Sequence, residues 1–489
     1  MNHIDSHAVR RRLIPLLAFA LILGLSFVTV SVPELYAQQA TDPDAKQYSQ
    51  QLQTIFQFIL QNYVDEPDPS KLYQGAIKGM MDSLDDPYST FLDEDMMSDL
   101  MSDTTGTYGG VGLYISKQAT VPTEDTPRYI EVVSPIEDTP AWKEGIRPGD
   151  LIIKIDGEDT APLSTDKASA KIKGEPGTTV VLTFRRGNYE FEVTFTRSKI
   201  EIPTIKHAVI STAQGNVGYI RIIEWNPNTA PKMKTALQDM KKSGVDKFVF
   251  DVRSNPGGLL SSVIDVCDLF LSSGVIVSTK GRTITENYEY IARSDLVIPE
   301  SDRMIVLINQ GSASASEIFA GAMKDTRRAL LLGEKTYGKG SVQQIFPLDK
   351  VGFKLTMARY YTPSGVNIDQ VGIEPDISVT EPTLSDKELQ EVQRLYDAGD
   401  ITRYLQTTPQ PSLEQRKEFA AELAKKYEVP TLILEKLIRD EAERTQPARI
   451  YDLEYDIQLQ KALELIESPD FERTLNNTKT LVQSQDSGK

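Results

Sequence analysis

Two apolar runs constrain this chain more than any other feature, because each runs straight into a loop of small residues. Lys247-Phe-Val-Phe-Asp-Val-Arg253 ends in Ser254-Asn-Pro-Gly-Gly258, and Met304-Ile-Val-Leu-Ile-Asn309 leads into Gly311-Ser-Ala-Ser-Ala-Ser-Glu317. A strand with one wet face alternates apolar and polar residues, whereas a strand covered on both faces reads as a continuous apolar run. Helical patterns lie around these runs, at Thr229 to Lys242 and Leu259 to Leu271. Apolar strands alternating with helices predict an α/β domain, residues 198–380, built on a mainly parallel sheet with covered faces.

The flanking segments have other periods. Residues 45–105 read as helical, with Leu52, Ile55, Phe56, Ile59, Leu60 and Tyr63 on one helix face and a break at Asp85-Asp-Pro-Tyr-Ser-Thr-Phe-Leu92. Residues 106–197 turn to short strands, including a hairpin around Arg186-Gly-Asn188 and a short helix capped by Gly145. Residues 381–475 return to helix, with Leu459, Leu463 and Ile466 at helical spacing, and 476–489 reads as a disordered tail. At the N-terminus, Arg10-Arg11-Arg12 precede the apolar stretch Leu13 to Val32 and a small residue, Ala37. That is the layout of a signal peptide, and the stretch is also long enough for a single membrane anchor over 1–37. Either reading exports the rest of the chain to the periplasm or cell envelope, with the arginines left on the cytoplasmic side.

A net charge of -17 argues against nucleic acid as a partner, since a phosphate backbone attracts a basic surface. The single cysteine, Cys267, lies in an apolar run and reads as core; no Cys/His cluster has metal-ligand spacing, and no cofactor is expected.

The serine cluster offers three candidate nucleophiles, Ser312, Ser314 and Ser316. It sits between a buried strand and a helical run, so a serine there would meet the N–H groups and dipole of a helix N-terminus. A serine needs a base, and the chain has only three histidines, His3, His7 and His207, two of them in the leader. A lysine is the better candidate. Tyr337-Gly-Lys-Gly-Ser-Val-Gln-Gln344 supplies Lys339 between glycines, with Gln343 four positions on to orient the amine. The paired Gly257 and Gly258 after a buried strand can aim N–H groups at an oxyanion.

Asn-Pro-Gly-Gly, Gly-Ser-Ala-Ser-Ala-Ser-Glu and Tyr-Gly-Lys-Gly-Ser-Val-Gln-Gln, in this order and after Asp86-Pro-Tyr-Ser-Thr-Phe-Leu92, resemble the carboxyl-terminal processing proteases, also called tail-specific proteases. The resemblance covers roughly residues 45–380. It implies a crotonase-like (ClpP/crotonase-type) catalytic domain with an inserted PDZ domain at 106–197, flanked by helical regions. It implies Ser314 as nucleophile, Lys339 as general base and Gln343 as orienting residue. The oxyanion donors would be the N–H of Ala315 and of Gly257 or Gly258. In the PDZ domain, Gly109-Gly110-Val111-Gly112-Leu113 resembles a carboxylate-binding loop, so substrates would be proteins or peptides with free C-termini. Two rivals fit some of the same residues: a catalytically silent PDZ peptide-binding scaffold, and a non-proteolytic acyl enzyme on the same fold. Intact Ser314, Lys339 and Gln343 argue against the first, and the PDZ module against the second. The apolar stripes of the helix at Leu52 to Tyr63 and of the helices after Pro430 must be buried, either on the chain's own catalytic domain or against a second copy; the second reading is favoured and predicts a homo-oligomer.

Overall fold

The computed structural model describes residues 43–117, 128–136, 138–293, 296–444, 446 and 449–486; the expected leader at 1–37 lies outside them. Among the described residues no helix is long and apolar enough to cross a membrane. The chain divides into two compact units. One holds the described residues up to Met97 together with Gln343–Thr356; the other holds Ser98–Val342 and Met357–Lys489.

The first unit begins with the helix Pro43–Asn62, which leaves Tyr48, Leu52, Ile55 and Phe58 exposed. A second helix, Pro69–Asp82, starts where the Asp68 carboxylate accepts the N–H groups of Ser70 and Lys71 and proline occupies the first turn. Asp86 shapes the break that follows, accepting the Tyr88 N–H at 3.1 Å and the Ser89 hydroxyl at 2.6 Å. The chain then forms the short strand Thr90–Leu92, antiparallel to Gly352, Phe353 and Lys354, within the break expected in this otherwise helical region.

The second unit contains the β-rich module. Strands Leu113–Lys117, Ile130–Pro135, Leu151–Ile155, Thr179–Arg186 and Tyr189–Thr196 form its sheet, and helices Pro140–Lys143 and Thr165–Ile172 complete it. Its core is its own: Val111, Ile130, Val132, Ile152, Val180, Leu182, Phe184 and Phe195 are buried together.

The larger sheet runs in the order Ile205–Thr212, Gly215–Ile222, Lys247–Asp251, Arg303–Ile308, Leu330–Gly333 and Ile377–Ser378. Its first pair is an antiparallel hairpin; every later pairing is parallel. Successive strand residues point to opposite faces. Phe248, Phe250, Met304 and Val306 therefore meet Met233, Leu237, Val263 and Phe319 on one side, while Val249, Ile305 and Leu307 pack elsewhere.

What covers that second face differs from the expectation. Leu459, Ala462 and Ile466 of the helix Ile457–Glu467, with Phe471, pack against Val249, Ile305 and Leu307. The helical region after residue 380 thus supplies a layer of the sheet domain, and its stripe at Leu459 and Ile466 is covered within the same chain rather than by another subunit. Between them, helices from Asp386 to Ala442 close a small core around Leu395, Ile401, Leu423, Leu434 and Ile438. The tail expected to be disordered from 476 carries a helix, Leu481–Asp486. Leu481 is buried beside Gly321, and its N–H donates to Asp325 at 2.7 Å.

Candidate active site

Ser314 is the residue at which the strand Arg303–Ile308 has turned and the helix Ala315–Asp325 begins. Its backbone lies at φ 54°, ψ -114°, a conformation that costs a non-glycine residue about 1–3 kcal/mol and persists only where neighbours hold it. The other two serines are structural. Ser312 is fully buried; its hydroxyl donates to the Val252 carbonyl at 2.8 Å and accepts the Asn309 N–H at 3.1 Å. Ser316 is also fully buried; its hydroxyl donates to the Asn255 carbonyl at 3.0 Å and accepts the Trp225 indole N–H at 2.9 Å. Ser314, half-buried, is the one that reaches solvent.

The loop 254–258 is laced to this turn. The Ala313 N–H donates to the Asn255 carbonyl at 3.0 Å, and the Ser254 N–H donates to Asn309 Oδ1 at 2.8 Å. Gly257 sits directly against Ser314: a Cβ there would lie 2.8 Å from Ser314 Cβ. Its own N–H is committed to Asn255 Oδ1 at 2.9 Å, while Asn255 is fixed in turn through the Ile222 carbonyl. Gly258 is exposed. Ala315 opens the helix, where the first N–H groups have no intrahelical acceptor.

Lys339, half-buried, lies in an irregular segment whose flanking glycines allow close packing. A Cβ on Gly338 would lie 2.9 Å from the Gly372 nitrogen, and one on Gly340 2.6 Å from the Asp369 nitrogen. Sequence reasoning missed the group that joins this segment to the serine. Glu317, fully buried, accepts the Thr336 hydroxyl at 2.5 Å and the Gly338 N–H at 2.8 Å on Oε1. On Oε2 it accepts the N–H groups of both Ser314 and Lys339, each at 2.9 Å. Burial pushes this carboxyl above its ordinary range, against the pull of its four donors, the Thr336 hydroxyl first. The only sequence sign was a glutamate three residues after a helix-capping serine, which reads as an ordinary capping box.

Gln343 belongs to the other compact unit, where its amide donates to the Thr356 hydroxyl at 3.3 Å.

In the β-rich module, a groove of about 200 Å³ runs between the strand Leu113–Lys117 and the helix Thr165–Ile172, lined by Tyr108, Gly112, Leu113, Ile115, Ser169 and Ile172 among others. Of the five residues expected to cradle a carboxylate, Gly112 and Leu113 line it. Gly109, Gly110 and Val111 do not. Gly109 and Gly110 pair with Lys199 and Ser198 in a two-stranded ladder, and Val111 is core. The glycines are needed there for close approach: a Cβ on Gly109 would lie 2.1 Å from the Gly174 carbonyl oxygen. Gly112, at φ +82°, makes the turn itself.

Comparison with known proteins places these features together. Peptidase family S41 matches residues 216–379, a PDZ domain matches 131–186, and the activating protease CtpB N-terminal domain matches 25–96. A carboxy-terminal-processing protease of Bartonella bacilliformis is 39% identical over 372 residues, 75% of this chain and 80% of that protein. A carboxyl-terminal-processing protease of Synechocystis is 37% identical over 319 residues, covering 64% and 72%. A probable CtpA-like serine protease of Staphylococcus haemolyticus is 32% identical over 369 residues, covering 74% and 71%.

Proposed function

This chain belongs to the carboxyl-terminal-processing proteases of peptidase family S41, serine-type peptidases that here carry a PDZ domain, and we propose that it is an exported endopeptidase working through a Ser314–Lys339 dyad on a crotonase-like catalytic domain. The observation that carries the reading is the shared carboxylate. Ser314 and Lys339 donate their backbone N–H groups to the same oxygen of Glu317, so two loops separated in sequence are held in one register.

In this reading neutral Lys339 takes the Ser314 hydroxyl proton as Oγ bonds to the scissile carbonyl carbon. The carbonyl oxygen becomes an oxyanion beside the Ala315 N–H at the helix start and a glycine N–H of the 257–258 pair. Because the Gly257 N–H is engaged by Asn255, Gly258 is the donor of choice. The C–N bond then breaks, and the lysine passes its proton to the leaving amine. Water attacks the acyl-enzyme, losing a proton to Lys339, and the new carboxylate leaves as Ser314 regains its proton. Gln343 would orient the lysine amine. The groove around Gly112 and Leu113 would take the substrate's free, apolar C-terminal residues as an added strand. Residues 1–37 would direct export, as a cleaved signal or a retained anchor, and the exposed helix Pro43–Asn62 would pair with a second copy.

Cleavage of a fluorogenic peptide with a free apolar C-terminus tests this. Ser314→Ala and Lys339→Ala should each abolish turnover without unfolding the protein, and amidating the peptide's C-terminus should raise KM. Full activity in either variant removes the dyad; equal KM for both peptides removes tail recognition.

A further inference from the structure

On the reading that Ser314 and Lys339 form the dyad, we propose that Tyr360 is a positioning residue for the reaction: its hydroxyl holds the backbone carbonyls of nucleophile and base in register.

Tyr360 lies in the strand Val351–Tyr361, opposite Thr279, and its side chain is only 1% exposed. Its hydroxyl oxygen is 2.5 Å from the Lys339 carbonyl oxygen and 3.2 Å from that of Ser314. The residue is fixed at its other end, since its N–H donates to the Gly340 carbonyl at 2.9 Å and its carbonyl accepts the Asn367 amide at 2.8 Å. The two dyad residues are therefore bridged twice. Their N–H groups share one oxygen of Glu317, and their carbonyls share one hydroxyl of Tyr360.

A tyrosine that merely needs a partner for a buried hydroxyl requires one acceptor, and phenylalanine would fill the same space. Here the two acceptors belong to the two residues whose separation governs proton transfer. The bridge also acts where it is needed. Ser314 is strained, and its carbonyl already receives the Glu317 and Ile318 N–H groups from the first helical turn. Those bonds orient the serine toward its own helix; its register with the lysine segment is set by the two bridges together with the Tyr337 N–H, which donates to the Ser312 carbonyl at 3.1 Å. The 338–340 segment, in turn, is held by bonds to Glu317, Asp369, Gln370 and Tyr360.

The test is single-turnover cleavage of the fluorogenic tailed peptide by the full chain in excess, comparing wild type, Tyr360→Phe and a protein with 3-fluorotyrosine at position 360. At saturating enzyme the rate constant belongs to competent molecules, and a misfolded fraction changes only the concentration needed to saturate. A 1 Å misplacement of reacting groups costs roughly 100-fold, so Tyr360→Phe should lower this constant about 10- to 100-fold. Steady-state KM should stay within about twofold of wild type, the pattern of an interaction that acts on the transition state. The fluorotyrosine, which keeps ring and hydroxyl, should restore the constant. A wild-type constant in Tyr360→Phe, or a loss confined to KM, overturns the proposal. Should Tyr360→Phe yield no folded protein, Asn367→Ala loosens the Tyr360 backbone and should lower the same constant about threefold or more; an unchanged constant there overturns it equally. Ser314→Ala and Lys339→Ala run alongside: activity in Lys339→Ala defeats the dyad itself, whereas inactive dyad variants beside an unaffected Tyr360→Phe defeat only the role of Tyr360.

Discussion

Gly257→Ala should separate catalysis from folding at a single methyl group. The added Cβ would lie 2.8 Å from Ser314 Cβ, 2.9 Å from the Ala313 carbonyl oxygen and 3.1 Å from the Ala315 nitrogen. Carbon atoms rest at about 3.5 Å or more, so something must retreat by roughly 0.7 Å. None of the three neighbours is the end of a flexible side chain; all are fixed to the turn that carries Ser314. The turn is also tied to the glycine's own loop through Ala313 and Asn255, so the strain spreads into both. Alanine at φ +110° adds about 1–3 kcal/mol, and the crowding brings the loss of stability to roughly 2–6 kcal/mol. The displaced turn carries both Ser314, the proposed nucleophile, and the Ala315 N–H, a proposed oxyanion donor. Misplacing one reacting group or losing one oxyanion donor costs about 100- to 1,000-fold in kcat. The assay is peptide turnover beside thermal melting, with Gly187→Ala as control. Gly187 also has positive φ, at +61°, but open space around it. It should lose about 1 kcal/mol and no turnover. A Gly257→Ala protein that melts lower yet turns over normally would refute the placement of this glycine against the reacting serine.

Ser312→Ala and Ser316→Ala should lower the melting temperature, each by about 1–3 kcal/mol of lost buried hydrogen bonding, and keep turnover per folded molecule; loss of turnover without destabilisation would count against Ser314. The Glu317 carboxyl is raised by burial, so its contribution to stability is present below its ordinary value of about 4.5 and is lost as pH rises through the folded value. Melting of Glu317→Gln compared with wild type from about pH 4 to about pH 8 should therefore shift in the variant's favour as pH rises, and a shift the other way contradicts the burial argument. That variant can turn its amide oxygen to the Ser314 and Lys339 N–H groups, so it should keep turnover within about tenfold, whereas Glu317→Leu, which leaves four donors unmet, should be inactive. Light scattering should give at least a dimer through the helix Pro43–Asn62, where Tyr48 is 65% and Phe58 64% exposed; a strictly monomeric mass at micromolar concentration rejects it.

The sequence by itself determined the features that depend on local pattern. Continuous apolar runs at Lys247–Asp251 and Arg303–Ile308 required strands covered on both faces, and both proved to be neighbours in the parallel part of the sheet. The glycine and serine clusters had to be turns at the ends of those strands, because only small residues accept such conformations and such close approach. Periodicity states which face of an element is buried, and it says nothing of what buries it. The stripe at Leu459, Leu463 and Ile466 was legible, yet only the tertiary structure showed it lying on Val249, Ile305 and Leu307 of its own chain. What separates the three serines is likewise visible only in three dimensions. Ser312 and Ser316 are indistinguishable from Ser314 by composition and differ only in being bonded to Val252, Asn255 and Trp225, partners 60 to 91 positions away. Glu317 reads as a helix cap and Tyr360 as a strand aromatic, because a polar group's local signal reports the element it sits in. That each bridges Ser314 to Lys339 depends on strands and loops distant in sequence closing around one point, and a buried donor or acceptor takes whichever partner that closure brings within reach.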